Sequence, residues 1–252
     1  MIYSGRKLLC ASGLIGVYFA IRAYFWNWGM RDLRVATGHA EEDALTECIL
    51  TGYFSIQEIV LIGSLCLILF VEYFAYRENA IYLLRFENRE KYALKNIENV
   101  IVACILFCSL RGLIGYGSLW IEFGSKYILT KKILSFTFWY IVITSLYSIH
   151  CSMMYMMLKD FVKRKGVALV ICMVAQLVLY YIYTEQWLFF LLRNEVTWLP
   201  FCDIDVPGAV YAMLAASSEY CLATCRQTCI TALTAIAWIT VWRRKDVIAF
   251  EK

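Results

Sequence analysis

Four ionisable residues, Arg22, Glu58, Arg111 and Glu185, sit inside long apolar runs of the 252-residue chain. A free charge in hydrocarbon costs at least about 2.5 kcal/mol, so such groups pair or line a wet path. Two acids and two bases can neutralise one another. At about 1.5 Å per helical residue, Arg22, Glu58 and Arg111 each lie roughly 10 Å from the outer end of their run, and Glu185 lies nearer that surface. Pairing of Glu58 with Arg111 or Arg22 is the expected relief. It would form a buried ion cluster near the outward end of a pathway or a dimer seam, or a bridge that fixes helix packing. Glu72 falls near the inner surface, where its carboxylate is expected to snorkel to water.

Other reactive types offer less. His150 and Cys151 are adjacent, but neighbours on a helix point about 100° apart, so one does not readily serve the other as base and nucleophile. An intramembrane peptidase is the third-ranked reading for that reason. The eleven cysteines contain no CxxC pair and have only two histidines to join them, so no metal site is expected. Most of them fall in apolar runs, where a thiol acts as a small hydrophobe. Cys48 and Cys202 fall in expected outside segments and could pair. Cys221, Cys225 and Cys229, with Thr224, Thr228 and Ala232, give a small-residue face suited to close helix approach, with a second membrane subunit as one occupant. No glycine opens a GxxxxGK[ST] loop, so the chain carries no phosphate cradle of its own. Gly112, Gly115 and Gly117 fit helix contact instead. No nucleic-acid partner is expected.

These residues must be held by helices. The chain is 62% apolar and 17% charged, with two prolines, whereas a soluble domain carries about a quarter charged residues. A bilayer core needs about 20 apolar residues per helix, and six runs meet that length. The expected fold class is all-α: a polytopic membrane protein forming one transmembrane domain over residues 1–252. Its six transmembrane helices lie at about 8–28, 53–76, 97–119, 133–158, 167–191 and 222–242. With the N-terminus inside, the cytoplasmic segments hold 15 Lys and Arg against 7 on the outer side, Arg226 at the outer end of the sixth span included. The positive-inside rule therefore puts both termini in the cytoplasm. The first run follows Arg6 and Lys7 like a signal sequence, but it is long enough to span and lacks a clear cleavage site, so it is expected to stay.

The densest cytoplasmic segment is 81–98, IYLLRFENREKYALKNIE. Tyr76, Ala80, Leu83 and Leu84 share one helical face, which suggests a short surface helix. Asn88 suits an N-cap, so that a new helix begins at Arg89. The turn would present Arg85, Phe86, Glu87, Asn88 and Arg89. Mixed charge around an aromatic suits protein contact better than lipid headgroups, which favour a uniformly basic patch. The positive-inside rule alone also accounts for the basic residues.

The string Leu84-Arg85-Phe86-x-x-Arg89-x-x-Tyr92-x-x-Lys95 before an apolar span resembles the cytoplasmic connection in membrane subunits of Gram-positive ATP-binding cassette exporters of the second permease type. The ending Trp242-Arg243-Arg244-Lys245-Asp246 is similar to that family's basic stop. About seven residues precede the first span, where many members carry an interface helix. The resemblance implies a permease half of an exporter in the bacterial plasma membrane. It implies that Arg85, Phe86, Glu87, Asn88 and Arg89 form a coupling helix docking on a separate ATPase, with Lys159–Lys165 a smaller contact. ATP and Mg would belong to that partner, leaving this chain a non-enzymatic subunit without a cofactor. A second permease, identical or related, would complete the unit. The cargo would be amphipathic, such as an antimicrobial peptide. The alternative is a non-transporting sensor or anchor subunit.

Between spans five and six, Asp205 can cap a helix whose first turn holds Pro207. The run at 209–216 is too short to span and reads as a re-entrant or interfacial helix, or as a surface helix in an external loop. The same resemblance implies an outer gate here, with Pro200, Asp205, Pro207 and Gly208 as its residues.

Overall fold

The computed structural model describes residues 12–24, 27, 62–74, 89–125, 131–162, 164–184 and 217–244. The described residues form six helices: α1 (12–24), α2 (Ile62–Phe74), α3 (Arg89–Phe123), α4 (Lys131–Val162), α5 (Lys165–Thr184) and α6 (Ser217–Arg244). No proline falls in any of them, so every turn keeps its backbone donor. α3 begins at Arg89, where the Asn88 cap was expected, and it ends at Gly124. That glycine takes φ +76° and its N–H closes on the Trp120 carbonyl at 2.9 Å. A left-handed residue of this kind ends a helix, and glycine adopts it without a Cβ penalty.

The contacts fix the helix directions. Tyr18 stacks on Phe107 while Arg22 reaches Arg111, so α1 runs with α3. Cys104 meets Ser152 and Cys108 meets Ser148, in reverse order, so α3 and α4 are antiparallel. Thr231 bonds to the Leu146 carbonyl, His150 to Thr234 and Trp238 to Asp160, in the same order, so α6 runs with α4. Only two residues separate α4 from α5, and Cys172 comes back beside Cys151. In α2, Phe70 sits by Phe107 and Glu72 reaches Tyr155 and Lys159, so α2 also runs with α4. Successive helices therefore alternate in direction. At one end, called here the α2–α3 end, α2, α4 and α6 finish and α3 and α5 begin.

α4 is the hub, touching α2, α3, α5 and α6. Its interior hydroxyls explain how a polar-dotted helix can be central. Thr137 donates to the Ile133 carbonyl at 2.9 Å and Thr144 to the Tyr140 carbonyl at 2.6 Å, so these buried groups satisfy themselves locally. Against α3, the Cys104–Ser152 and Cys108–Ser148 contacts, at 3.5 and 3.2 Å, form two rungs of small side chains. Gly112 extends that close approach: a Cβ there would lie 2.8 Å from Ile141 Cδ1 and run into its Cγ1. Phe107 closes the other side, with ring centroids 5.4 Å from Tyr18, 5.4 Å from Phe19 and 6.0 Å from Phe70.

Two of the described helices, Glu90–Phe123 and Ile133–Val162, are long and apolar enough to cross a membrane. The 35 residues of α3 extend about 50 Å, beyond a hydrocarbon core of about 30 Å. Its surplus is the charged first turns from Arg89 to Glu98. Outside the core, α3 exposes Ile105, Leu106, Leu110 and Leu113, and α5 exposes Val167, Val170, Ile171, Val174 and Val178. Contiguous apolar faces of this kind mark contact with a membrane or a partner.

Candidate functional site

Arg22 and Arg111 come together. Both are buried, and Arg22 Nη1 donates to the Arg111 backbone carbonyl at 2.9 Å. A helical carbonyl retains a second lone pair, so this bond need not displace the helical one. The Arg111 guanidinium lies over the Tyr140 ring, 5.9 Å from its centroid, within cation–π range. The two bases of the expected ion cluster are therefore neighbours across α1, α3 and α4. Its two acids, Glu58 and Glu185, lie outside the described residues.

Glu72 is half-buried at the α2–α3 end, and its carboxylate reaches across to α4 and α5. Tyr155 donates to Oε2 at 2.5 Å, while Lys159 and Lys165 approach Oε1 at 3.4 and 2.7 Å. α2 supplies the anion, α4 the phenol and one ammonium, and α5 the other ammonium. Lys159 is 3% exposed and Lys165 59%. One turn along α4 from Met156, Asp160 accepts the Trp238 indole N–H at 3.3 Å, tying in α6. Beside them Tyr92 meets Trp242 edge-on at 5.1 Å, with both rings buried. This polar and aromatic layer knits α2 through α6 where the chain passes from α2 to α3.

Of the docking residues, Arg85, Phe86, Glu87 and Asn88 lie outside the described residues, and Arg89 is the first residue of α3. Two further positions of the same string are described. Tyr92 is 0% exposed and belongs to the core, so this aromatic packs the bundle. Lys95 pairs with Glu98 at 2.7 Å on the exposed side of α3. Pro200, Asp205, Pro207, Gly208, Cys48 and Cys202 lie outside the described residues.

His150 and Cys151 diverge as helical geometry requires. His150 Nδ1 bonds to Thr234 Oγ1 at 2.8 Å on α6, whereas the backbone of Cys151 receives Cys172 from α5. On α6 the face that meets α4 is Gln227, Thr231, Thr234 and Trp238, while Cys225, Thr228, Cys229 and Ala232 are exposed. Among the described residues, small-residue close packing therefore occurs between α3 and α4, and Cys225 and Cys229 of α6 point outward. Among the described residues no group of three or more His, Cys, Asp or Glu could hold a metal ion.

Comparison with protein-family models, with curated proteins and with solved structures returns no match.

Proposed function

We propose that this chain is the permease half of an ATP-driven exporter in the bacterial plasma membrane, paired with a second permease and with separate ATP-binding cassette subunits. In this reading the α2–α3 end faces the cytoplasm, and Arg85, Phe86, Glu87, Asn88 and Arg89 plug into the ATPase. The observation that carries it is the alternation of six helix directions, with this charged connection feeding directly into the first turn of the long helix α3. Alternation is what six successive membrane crossings require. α3 is also an unbroken rod: Arg89 and Arg111 are 22 residues apart, about 33 Å of helix. A push on the docking turn would reach the Arg22–Arg111 level without a hinge. ATP binding would close the two ATPase subunits, move the docking turns and shift the membrane halves, expelling an amphipathic cargo such as an antimicrobial peptide.

The test is purification of the tagged chain from native membranes. A cytoplasmic ATPase should co-purify, and Phe86→Asp with Arg89→Glu should strip it while the chain stays in the membrane. Retention of the ATPase by that double variant would refute the docking assignment. Release of the wild-type chain by alkaline carbonate would refute the membrane assignment itself.

A further inference from the structure

The corner between α4 and α5, which the exporter reading treats only as a smaller contact, combines three features on its outer side. Phe161, in the last turn of α4, is 64% exposed. Arg164, in the two-residue connection, is also exposed. Lys165 opens α5 with its ammonium fixed at 2.7 Å from Glu72 and most of its side chain in the open. From that basic start, Val167, Val170, Ile171, Val174 and Val178 follow at helical spacing and form one exposed strip down α5. No acidic or basic residue interrupts the strip between Lys165 and Glu185.

The charge balance at the corner is uneven. Among the described residues of the corner, Glu72 and Asp160 supply two carboxylates, while Lys159, Arg164 and Lys165 supply three cations, which leaves a net charge of +1. Glu72 already faces both Lys159 and Lys165, so one negative charge is shared between two ammonium groups. Tyr155 also draws on the same carboxylate. The excess positive charge therefore lies on the outer side of the corner, at Arg164 and the exposed flank of Lys165. A guanidinium beside an ammonium presents several N–H donors to an oxyanion, and Arg matches a phosphate with two parallel bonds.

We propose that the α4–α5 corner binds an anionic phospholipid, with its phosphate held by Arg164 and Lys165 and one acyl chain lying along the valine strip of α5. The exposed Phe161 ring adds apolar surface beside the headgroup. The pairing with Glu72 positions Lys165: it holds the ammonium against the bundle, so the lipid meets a preset donor. Apolar strip and basic cap are continuous, which suits a lipid better than a soluble phosphate or an acidic protein surface. The inference rests on the membrane reading but on neither the exporter assignment nor the docking turn.

The test is native mass spectrometry of the detergent-purified full chain mixed with phosphatidylglycerol or phosphatidylcholine of identical acyl chains. Wild-type protein should retain the glycerol lipid in preference to the choline lipid. Arg164→Ala should weaken that preference about fivefold, the effect of one cation near a headgroup surface, and Arg164→Glu should weaken it further. Arg164→Lys keeps the charge but not the paired donors, and should retain more of the preference than Arg164→Ala, which guards against loss of fold as the cause. Equal retention of both lipids by wild type, or an unchanged preference in Arg164→Glu, overturns the proposal. Displacement of the lipid by millimolar inorganic phosphate would assign the corner to free phosphate and overturn it as well. So would loss of a co-purifying ATPase from Arg164→Ala with lipid retention intact, because the corner would then be a protein contact. Carbonate release of the wild-type chain would instead remove the membrane reading beneath it, so the two failures are distinguishable.

Discussion

Arg22 Nη1 donates to the backbone carbonyl of Arg111 at 2.9 Å, so two buried bases 89 residues apart in sequence meet through a main-chain oxygen. The bond depends on the Arg22 side chain and only on the backbone of Arg111. Arg22→Met keeps most of the volume and removes the donor. It is expected to lower stability by about 1.5–3 kcal/mol, the range for a hydrogen bond from a charged group. Unfolding of the purified protein by a denaturing detergent measures it. A change under about 0.5 kcal/mol would mean that the bond contributes nothing net.

Glu72 leads to a second expectation, because its two lysines differ in burial. Glu72→Gln removes the anion facing Lys159, which is 3% exposed, and loss of one member of a buried pair costs about 3–5 kcal/mol. Lys165→Met removes a largely exposed partner and should cost under about 1 kcal/mol. The same unfolding assay should rank Glu72→Gln as far more damaging than Lys165→Met. The reverse order would mean that α5, rather than α4, depends on the carboxylate.

The helices were legible because long apolar runs without proline favour one outcome, and α3 starts at Arg89, where a new helix was expected, while the expected cap Asn88 lies outside the described residues. Pairings were less legible. Glu72 meets Tyr155, Lys159 and Lys165 from 83 to 93 positions away, and no local period encodes that. A lone acid near a span end reads as snorkelling until a neighbouring helix brings cations to it. Likewise, opposite charges at similar depth suggested acid–base pairing, but Arg22 also uses a carbonyl, a group present at every position and so invisible to sequence pattern. Tyr92 fitted a docking string by spacing, yet it shares the buried face of α3 with Ala93, Asn96 and Val100 and packs against Trp242.

Glycines on α3 provide an internal control. A Cβ at Gly112 would collide with Ile141, whereas one at Gly117 meets nothing within 4 Å. Alanine has a helix preference of about 1 kcal/mol over glycine, so Gly117→Ala should be neutral or stabilising by up to that amount. Gly112→Ala should instead destabilise, since overpacking costs about 1–3 kcal/mol. Ile141→Ala in the Gly112→Ala background should recover part of the loss. Equal effects of the two alanines would show that α3 and α4 do not approach closely at Gly112.

Tyr92 separates packing from docking in the proposed exporter. It lies three residues beyond Arg89 and is buried against Trp242, so it joins the start of α3 to the end of α6. Truncating a buried aromatic costs about 3–5 kcal/mol, and Tyr92→Ala should show that loss in the unfolding assay. Tyr92→Phe keeps the ring and should retain most of the stability. Phe86→Asp and Arg89→Glu belong to the proposed plug and should behave oppositely, releasing the ATPase while leaving unfolding within about 0.5 kcal/mol of wild type, as for surface changes. If Phe86→Asp destabilised the isolated chain as strongly as Tyr92→Ala, Phe86 would be a core residue too. The docking turn would then lose its central side chain.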